Sequence, residues 1–195
     1  MALTLVAGQL LSTPSLAAGF DLNLPFRRSP IRDAAERAYA AVVAQARRPE
    51  FFTALGVPDT LDGRFELICL HAFLYLRRLK GAEPPAAEVA QLFIDSMFAD
   101  FDRSLREIGT GDLSVGRQIK RMAEAFYGRV RAYDNGLAAD DGALGSALAR
   151  NVYGTAIASE EQLAQLAAYL RRELANLAKQ PTLALIAGII EFCSP

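Results

Sequence analysis

One histidine, two cysteines and a scatter of aspartates are the side chains from which catalytic or metal chemistry would have to be built. His71 and Cys69 lie two residues apart on a helical stretch, so they leave the helix in different directions and cannot share an ion. A single histidine rules out a multi-histidine metal site, and Cys69 and Cys193 have no zinc or redox spacing. No nucleophile–base pair can be assembled around either thiol. His71 is expected to be a satisfied, partly buried histidine, and Cys69 a small apolar core residue of a reducing compartment. Asp95, Asp100 and Asp102, with Asp140 and Asp141 further on, offer the oxygens that hard divalent cations prefer. Asp95 and Asp102 nevertheless fall about two turns apart while Asp100 faces elsewhere, which suits a solvated or ion-paired face better than a metal cage. No catalytic, metal or cofactor-binding residue is therefore assigned, and the chain does not read as an enzyme.

The glycines of Gly109-Thr110-Gly111-Asp112-Leu113-Ser114-Val115-Gly116 invite a phosphate-loop reading, and the spacing fails it. A dinucleotide fingerprint needs glycine at 114, which is serine, and a preceding strand. A Walker loop needs Lys and then Ser or Thr after its last glycine, where Arg117 and Gln118 stand. A helix turn with a following cap explains the segment. The cations Arg117, Lys120, Arg121, Arg129 and Arg131 then form a basic helix face with Phe126 and Tyr127 nearby. The net charge of −1 gives no global field for nucleic acid or anionic membrane, so any electrostatic recognition is local.

The elements that position these residues are helices. From Gln91 to Tyr133 two amphipathic stripes face each other in sequence: Phe93, Met97, Phe101, Leu105 and Ile108, then Val115, Ile119, Met122, Phe126, Val130 and Tyr133. Gly109 to Gly111 joins them, Asp112 or Ser114 can cap the second, and a short connection predicts an antiparallel hairpin. The first arm leans acidic and the second basic. Ser29-Pro30 starts a helix reaching Arg47, and Asp59 or Thr60 starts the densest one, running to Gly81 on Leu61, Phe65, Ile68, Cys69, Ala72, Phe73 and Leu76. Turn signals at Asp134-Asn135-Gly136 and Asp140-Asp141-Gly142 bracket a break, followed by a helix over Ala143–Tyr153 that Gly154 ends. Ser159 and Gln162 have capping-box spacing ahead of Leu163, Leu166, Leu170, Leu174 and Leu177. The apolar segment Leu183–Phe192 is shorter than the roughly 20 residues that span a bilayer, and reads as a buried last helix or a docking surface.

With 52% hydrophobic and 22% charged residues over 195 positions, the chain supports one domain with a sizeable core. The expected class is all-α: a single compact domain of about six to eight helices with a central helical hairpin. Residues 1–28 are assigned to an N-terminal tail and linker, and residues 29–195 to the helical domain. Met1–Gly19 lacks the basic start of a secretory signal and the arginines of a mitochondrial transit peptide.

Leu105-Arg106-Glu107, Gly111-Asp112-Leu113-Ser114-Val115-Gly116 and Met122-Ala123-Glu124-Ala125-Phe126-Tyr127-Gly128-Arg129 together resemble the ubiquinol–cytochrome c chaperone family. Asp62-Gly63-Arg64-Phe65, His71-Ala72-Phe73-Leu74, Leu76-Arg77-Arg78-Leu79 and Ala149-Arg150-Asn151-Val152-Tyr153-Gly154 extend the resemblance from about Ile31 to near the C-terminus. The resemblance implies an assembly chaperone that binds newly made cytochrome b and promotes assembly of ubiquinol–cytochrome c reductase. Its mitochondrial members also contact the ribosome and a second small chaperone. An Ala/Arg-rich chain with no transit peptide reads as a bacterial member at the cytoplasmic face of the inner membrane, with peripheral membrane contact and no DNA partner. The client-binding residues expected on this basis are Gly111, Asp112, Leu113, Lys120, Arg121, Phe126, Tyr127 and Arg129. Periodicity alone would place Phe126 in the core. A membrane-surface or RNA-binding helical module, and an all-α enzyme with an aspartate-rich site, are the alternatives.

Overall fold

The helix over Leu61–Leu79 is the axis of the molecule in a computed structural model that describes residues 29–154 and 156–195. In chain order the described helices are α1 (Pro30–Ala46), α2 (Glu50–Thr53), α3 (Leu61–Leu79), α4 (Ala86–Glu107), α5 (Asp112–Ala138) and α6 (Asp141–Leu148). α6 passes directly into a π-helical turn (Ala149–Tyr153), followed by α7 (Glu160–Lys179) and α8 (Thr182–Ile186). The described residues contain no strand, in keeping with the all-α expectation. Among them, no helix is long and apolar enough to cross a membrane. The expected tail and linker at residues 1–28 lie outside the described residues.

α3 begins where the Thr60 hydroxyl accepts the Gly63 N–H at 3.1 Å, a cap for one of the orphan donors of the first turn. Its burial is not one-sided as expected. Leu67, Leu70, Leu74 and Tyr75 are buried as fully as Cys69, Ala72 and Phe73, whereas Leu61 is 61% exposed. A helix apolar all round belongs inside a bundle, and α3 touches α1, α4, α5, the π-helical turn, α7 and α8. α1 lies along α4, where Tyr39 meets the Phe93 ring edge-on at 5.8 Å and its hydroxyl donates to Asp100 at 2.7 Å.

α5 does not break at Asp134-Asn135-Gly136 but continues to Ala138. Gly136 stands there for space: a Cβ on it would come within 2.8 Å of the Leu144 Cα, so the glycine lets α5 and α6 cross backbone to backbone. Asp140 caps α6 by accepting the Ala143 N–H at 2.7 Å. The expected helix over 143–153 is α6 plus the π-helical turn, ended at Gly154 with φ +55°. The Ser159–Gln162 capping box forms in both directions. The segment 183–192 is only briefly helical. After Ile186 the chain turns at Gly188 and runs on without helix along α1 and α7, with the Gln45 amide donating to the Cys193 carbonyl at 2.7 Å and Asn176 to that of Glu191 at 2.7 Å.

Candidate functional site

The α4–α5 hairpin carries the predicted site, and its two ends differ in burial. α4 has no buried residue beyond Phe101, and α5 has only Val115 buried before Phe126. The fourteen residues from Asp112 to Ala125 thus form an arm about 20 Å long in which Val115 alone is fully buried, while Ile119 and Met122 pack partly on the core. At its base Phe98 approaches Phe101 at 5.8 Å and Phe126 at 6.3 Å, and Phe65 lies 5.1 Å from Phe101. At its tip Gly109 takes φ +86°, and Cβ atoms added at Gly109 or Gly111 would meet nothing within 4 Å. Neither Asp112 nor Ser114 caps α5 as expected: the N-cap is Gly111, without a side-chain cap. Asp112 is instead the first residue of the helix and pairs with Arg106, while the Ser114 hydroxyl donates to the Gly111 carbonyl at 2.7 Å.

Two of the expected client-binding residues are not free surface. Phe126 is 1% exposed and belongs to the aromatic base of the arm, as its helical period alone requires. Arg129 donates two hydrogen bonds to the Glu66 carboxylate and lies 5.4 Å over the Phe65 ring, tying α5 to α3. Burial pushes the Glu66 carboxyl above its ordinary value, and the guanidinium beside it pulls back only part of that shift. Both side chains serve the packing at the base of the arm. The buried carboxylate went unrecognised in the sequence. Its signal was an acid inside the run Phe65-Glu66-Leu67-Ile68, which demands a cation from elsewhere.

Gly111, Asp112, Leu113, Lys120, Arg121 and Tyr127 do face solvent. Leu113, Arg117, Lys120, Glu124, Tyr127 and Arg131 recur at spacings of four and three, one outward stripe opposite Val115, Ile119 and Phe126. Leu113 is 99% exposed and Tyr127 43%. The acids of α4 do not neutralise this stripe. Asp95 accepts from Gln91, Asp100 from Tyr39 and Arg103, and Asp102 from Arg106. No ion pair among the described residues involves Arg117, Lys120, Arg121 or Arg131. The arm therefore presents a convex, cationic ridge with apolar side chains at its tip. Such a surface can bind a partner.

The remaining candidates are interior. His71 is fully buried, with Nδ1 2.7 Å from the Leu67 carbonyl and Nε2 2.8 Å from the Tyr169 hydroxyl. Phe51 and Phe192 flank it at 5.2 and 5.6 Å between ring centroids. Cys69 is buried, and burial pushes its thiol well above the ordinary value. No group of three His, Cys, Asp or Glu side chains that could hold a metal occurs among the described residues. Asp141, the furthest of the aspartates, pairs with Arg171.

Comparison with known proteins bears on the whole of this domain. The sequence model of the family described as "Ubiquinol-cytochrome C chaperone" matches residues 53–192, which include the entire arm. Ubiquinol-cytochrome-c reductase complex assembly factor 1 of Xenopus laevis is 28% identical over 156 residues, covering 80% of this chain and 78% of its own. Its Homo sapiens counterpart is 27% identical over 161 residues, covering 83% of this chain but 54% of its own, so the chain spans about half of that relative. The crystal structure of the Cbp3 homolog from Brucella abortus superposes with a TM-score of 0.76 at 39% identity, covering 86% of this chain and 93% of that one.

Proposed function

The chain belongs to the ubiquinol-cytochrome C chaperone family, and we propose from that premise that it is an assembly factor that binds newly made cytochrome b on the way to ubiquinol–cytochrome c reductase. The observation that carries this reading is the family match over residues 53–192, together with relatives named as assembly factors of that complex. The protein then works by binding rather than by catalysis, at the cytoplasmic face of the inner membrane where its client is inserted.

The outward stripe of α5 supplies what such a role requires. Lys120 and Arg121 steer encounter with a client segment of opposite sign, because unneutralised surface charge raises association rate and sets orientation. Tyr127 adds an amphipathic ring that can pack on a client helix and still keep its hydroxyl wet. Phe126, packed on Phe98 of α4, and Arg129, tied to Glu66 of α3, contribute one layer below by fixing α5 at the base of the arm.

The test is the pair Lys120→Glu with Arg121→Glu. Both side chains are exposed and in no ion pair among the described residues, so each change should alter stability by no more than about 0.5 kcal/mol and the melting temperature should stay near that of the wild type. Capture of cytochrome b and the level of assembled reductase in cells should both fall. Full capture by the folded double variant would move the client surface elsewhere, first of all to the exposed Leu183 and Ile189 of the C-terminal segment.

A further inference from the structure

We infer that the tip of the hairpin arm is a docking device for an anionic lipid bilayer, with Ile108 and Leu113 as the inserting side chains and Arg117, Lys120 and Arg121 as the headgroup contacts. Ile108 is 60% exposed and Leu113 99%, and they stand on either side of a turn at whose glycines, Gly109 and Gly111, an added Cβ would meet nothing within 4 Å. Two large aliphatic side chains exposed together at the turn of the hairpin are the kind of surface that a partner or a bilayer covers. Behind Leu113 the cations recur at four, seven and eight residues, within about two turns of the helix, and none of them is in an ion pair among the described residues.

The shape of the arm selects the occupant. A peptide bound by its side chains needs a groove, and single-stranded RNA needs a run of aromatic platforms. The tip is convex and carries no aromatic residue between Ile108 and Ala125. A convex tip does suit a bilayer surface, which accepts a shallow wedge of aliphatic side chains while long cations snorkel to the phosphates. The acids nearby do not cancel this. Asp112 is held by Arg106, Glu107 lies on the α4 side of the turn, and Glu124 alone interrupts the cationic stripe before Tyr127. Tyr127, half exposed a few turns further back, sits where an aromatic ring would meet the headgroup layer if α5 lies along the surface. The proposal rests on this surface and not on the identity of the client.

The experiment is co-sedimentation of the full chain with vesicles. Wild type should pellet with vesicles of phosphatidylglycerol mixed into phosphatidylcholine. Pure phosphatidylcholine should weaken binding by about a hundredfold if three cations contribute. Ile108→Asp with Leu113→Asp should weaken binding to the mixed vesicles at least about tenfold. The double variant should melt as wild type does, since neither side chain touches the core. A second, charge-neutral variant, Arg117→Gln with Arg121→Gln, should lose part of the preference for anionic vesicles while keeping both aliphatic side chains. Equal binding to both vesicle types, a tip variant that pellets like wild type, or a wild type that ignores vesicles would each overturn the proposal. Salt-sensitive binding to single-stranded RNA in place of vesicles would also overturn it and reassign the cations. Retained capture of cytochrome b in detergent, alongside failed vesicle binding, would sink the lipid contact and leave the chaperone reading standing.

Discussion

The imidazole of His71 is held at both nitrogens, and its partners fix its tautomer. The Leu67 carbonyl can only accept, so Nδ1 carries the proton. The Gln45 amide donates to the Tyr169 oxygen at 2.8 Å, which leaves the Tyr169 hydroxyl proton to go to Nε2 at 2.8 Å. A second ring proton would have to face that hydroxyl inside an apolar shell. Burial accordingly lowers the His71 pKa from its ordinary 6.5 to about 4, although the hydrogen bond to the Leu67 carbonyl pulls the other way. The unfolded chain then binds more protons than the folded one between those values. Stability is complete well above pH 6.5 and is lost as pH falls toward 4, with about 1.5 kcal/mol going between pH 6.5 and 5. Melting temperatures across that interval should show this slope in wild type and a shallower one in His71→Gln, which is less stable at neutral pH but has nothing to protonate. Parallel slopes would mean that another group titrates.

Two glycines of α5 show how the same residue does opposite work in one element. A Cβ at Gly136 would strike the Leu144 backbone at 2.8 Å, while one at Gly116 would meet nothing within 4 Å. Gly136→Ala should therefore destabilise by about 1–3 kcal/mol, because the α5–α6 crossing must open. Gly116→Ala should stabilise by about 0.5–1 kcal/mol, since it removes chain freedom from an exposed helix position at no steric cost. Denaturant midpoints that move in the same direction for both would contradict the crossing geometry. Gly136 also marks the boundary of what the sequence can show. Local signals that act through their own backbone were legible: Ser29-Pro30, Thr60 and the Ser159–Gln162 box each start a helix as read, whereas Asp140, read as part of a turn, caps α6. Asp134-Asn135-Gly136 has the composition of a turn, and only the approach of Leu144 in the next helix explains why it is not one. For the same reason the arm was located correctly but its faces were not sorted. The partner that withdraws Arg129 from the surface, Glu66, lies 63 residues away.

At the scale of the molecule the C-terminal residues act as a strap over the interior polar network. Arg37 donates to the Ala187 carbonyl at 2.8 Å, and Gly188 passes so close to Ala34 that a Cβ would sit 2.2 Å from its carbonyl oxygen. Further on, Gln180 and Asn176 both donate to the Glu191 carbonyl, the Cys193 N–H donates to the fully buried Glu173 carboxylate, and Arg172 donates to the Ser194 carbonyl at 2.8 Å. α1 and α7 are thereby fastened together through a segment that has no helix of its own. The Phe192 ring closes over His71. Removing residues 189–195 should thus do two things at once. Stability should fall by about 2 kcal/mol or more, because Glu173 and Gln45 lose buried hydrogen-bond partners. Water should also reach His71, bring its pKa back toward the ordinary value and flatten the pH slope between 6.5 and 5. The arm makes none of these contacts, so hydrogen exchange over residues 112–125 should be the same in the truncated and the full chain. A truncated chain as stable as wild type would show the strap to be passive. One that is destabilised but keeps the full pH slope would assign the shielding of His71 to Phe51 and Tyr169 instead.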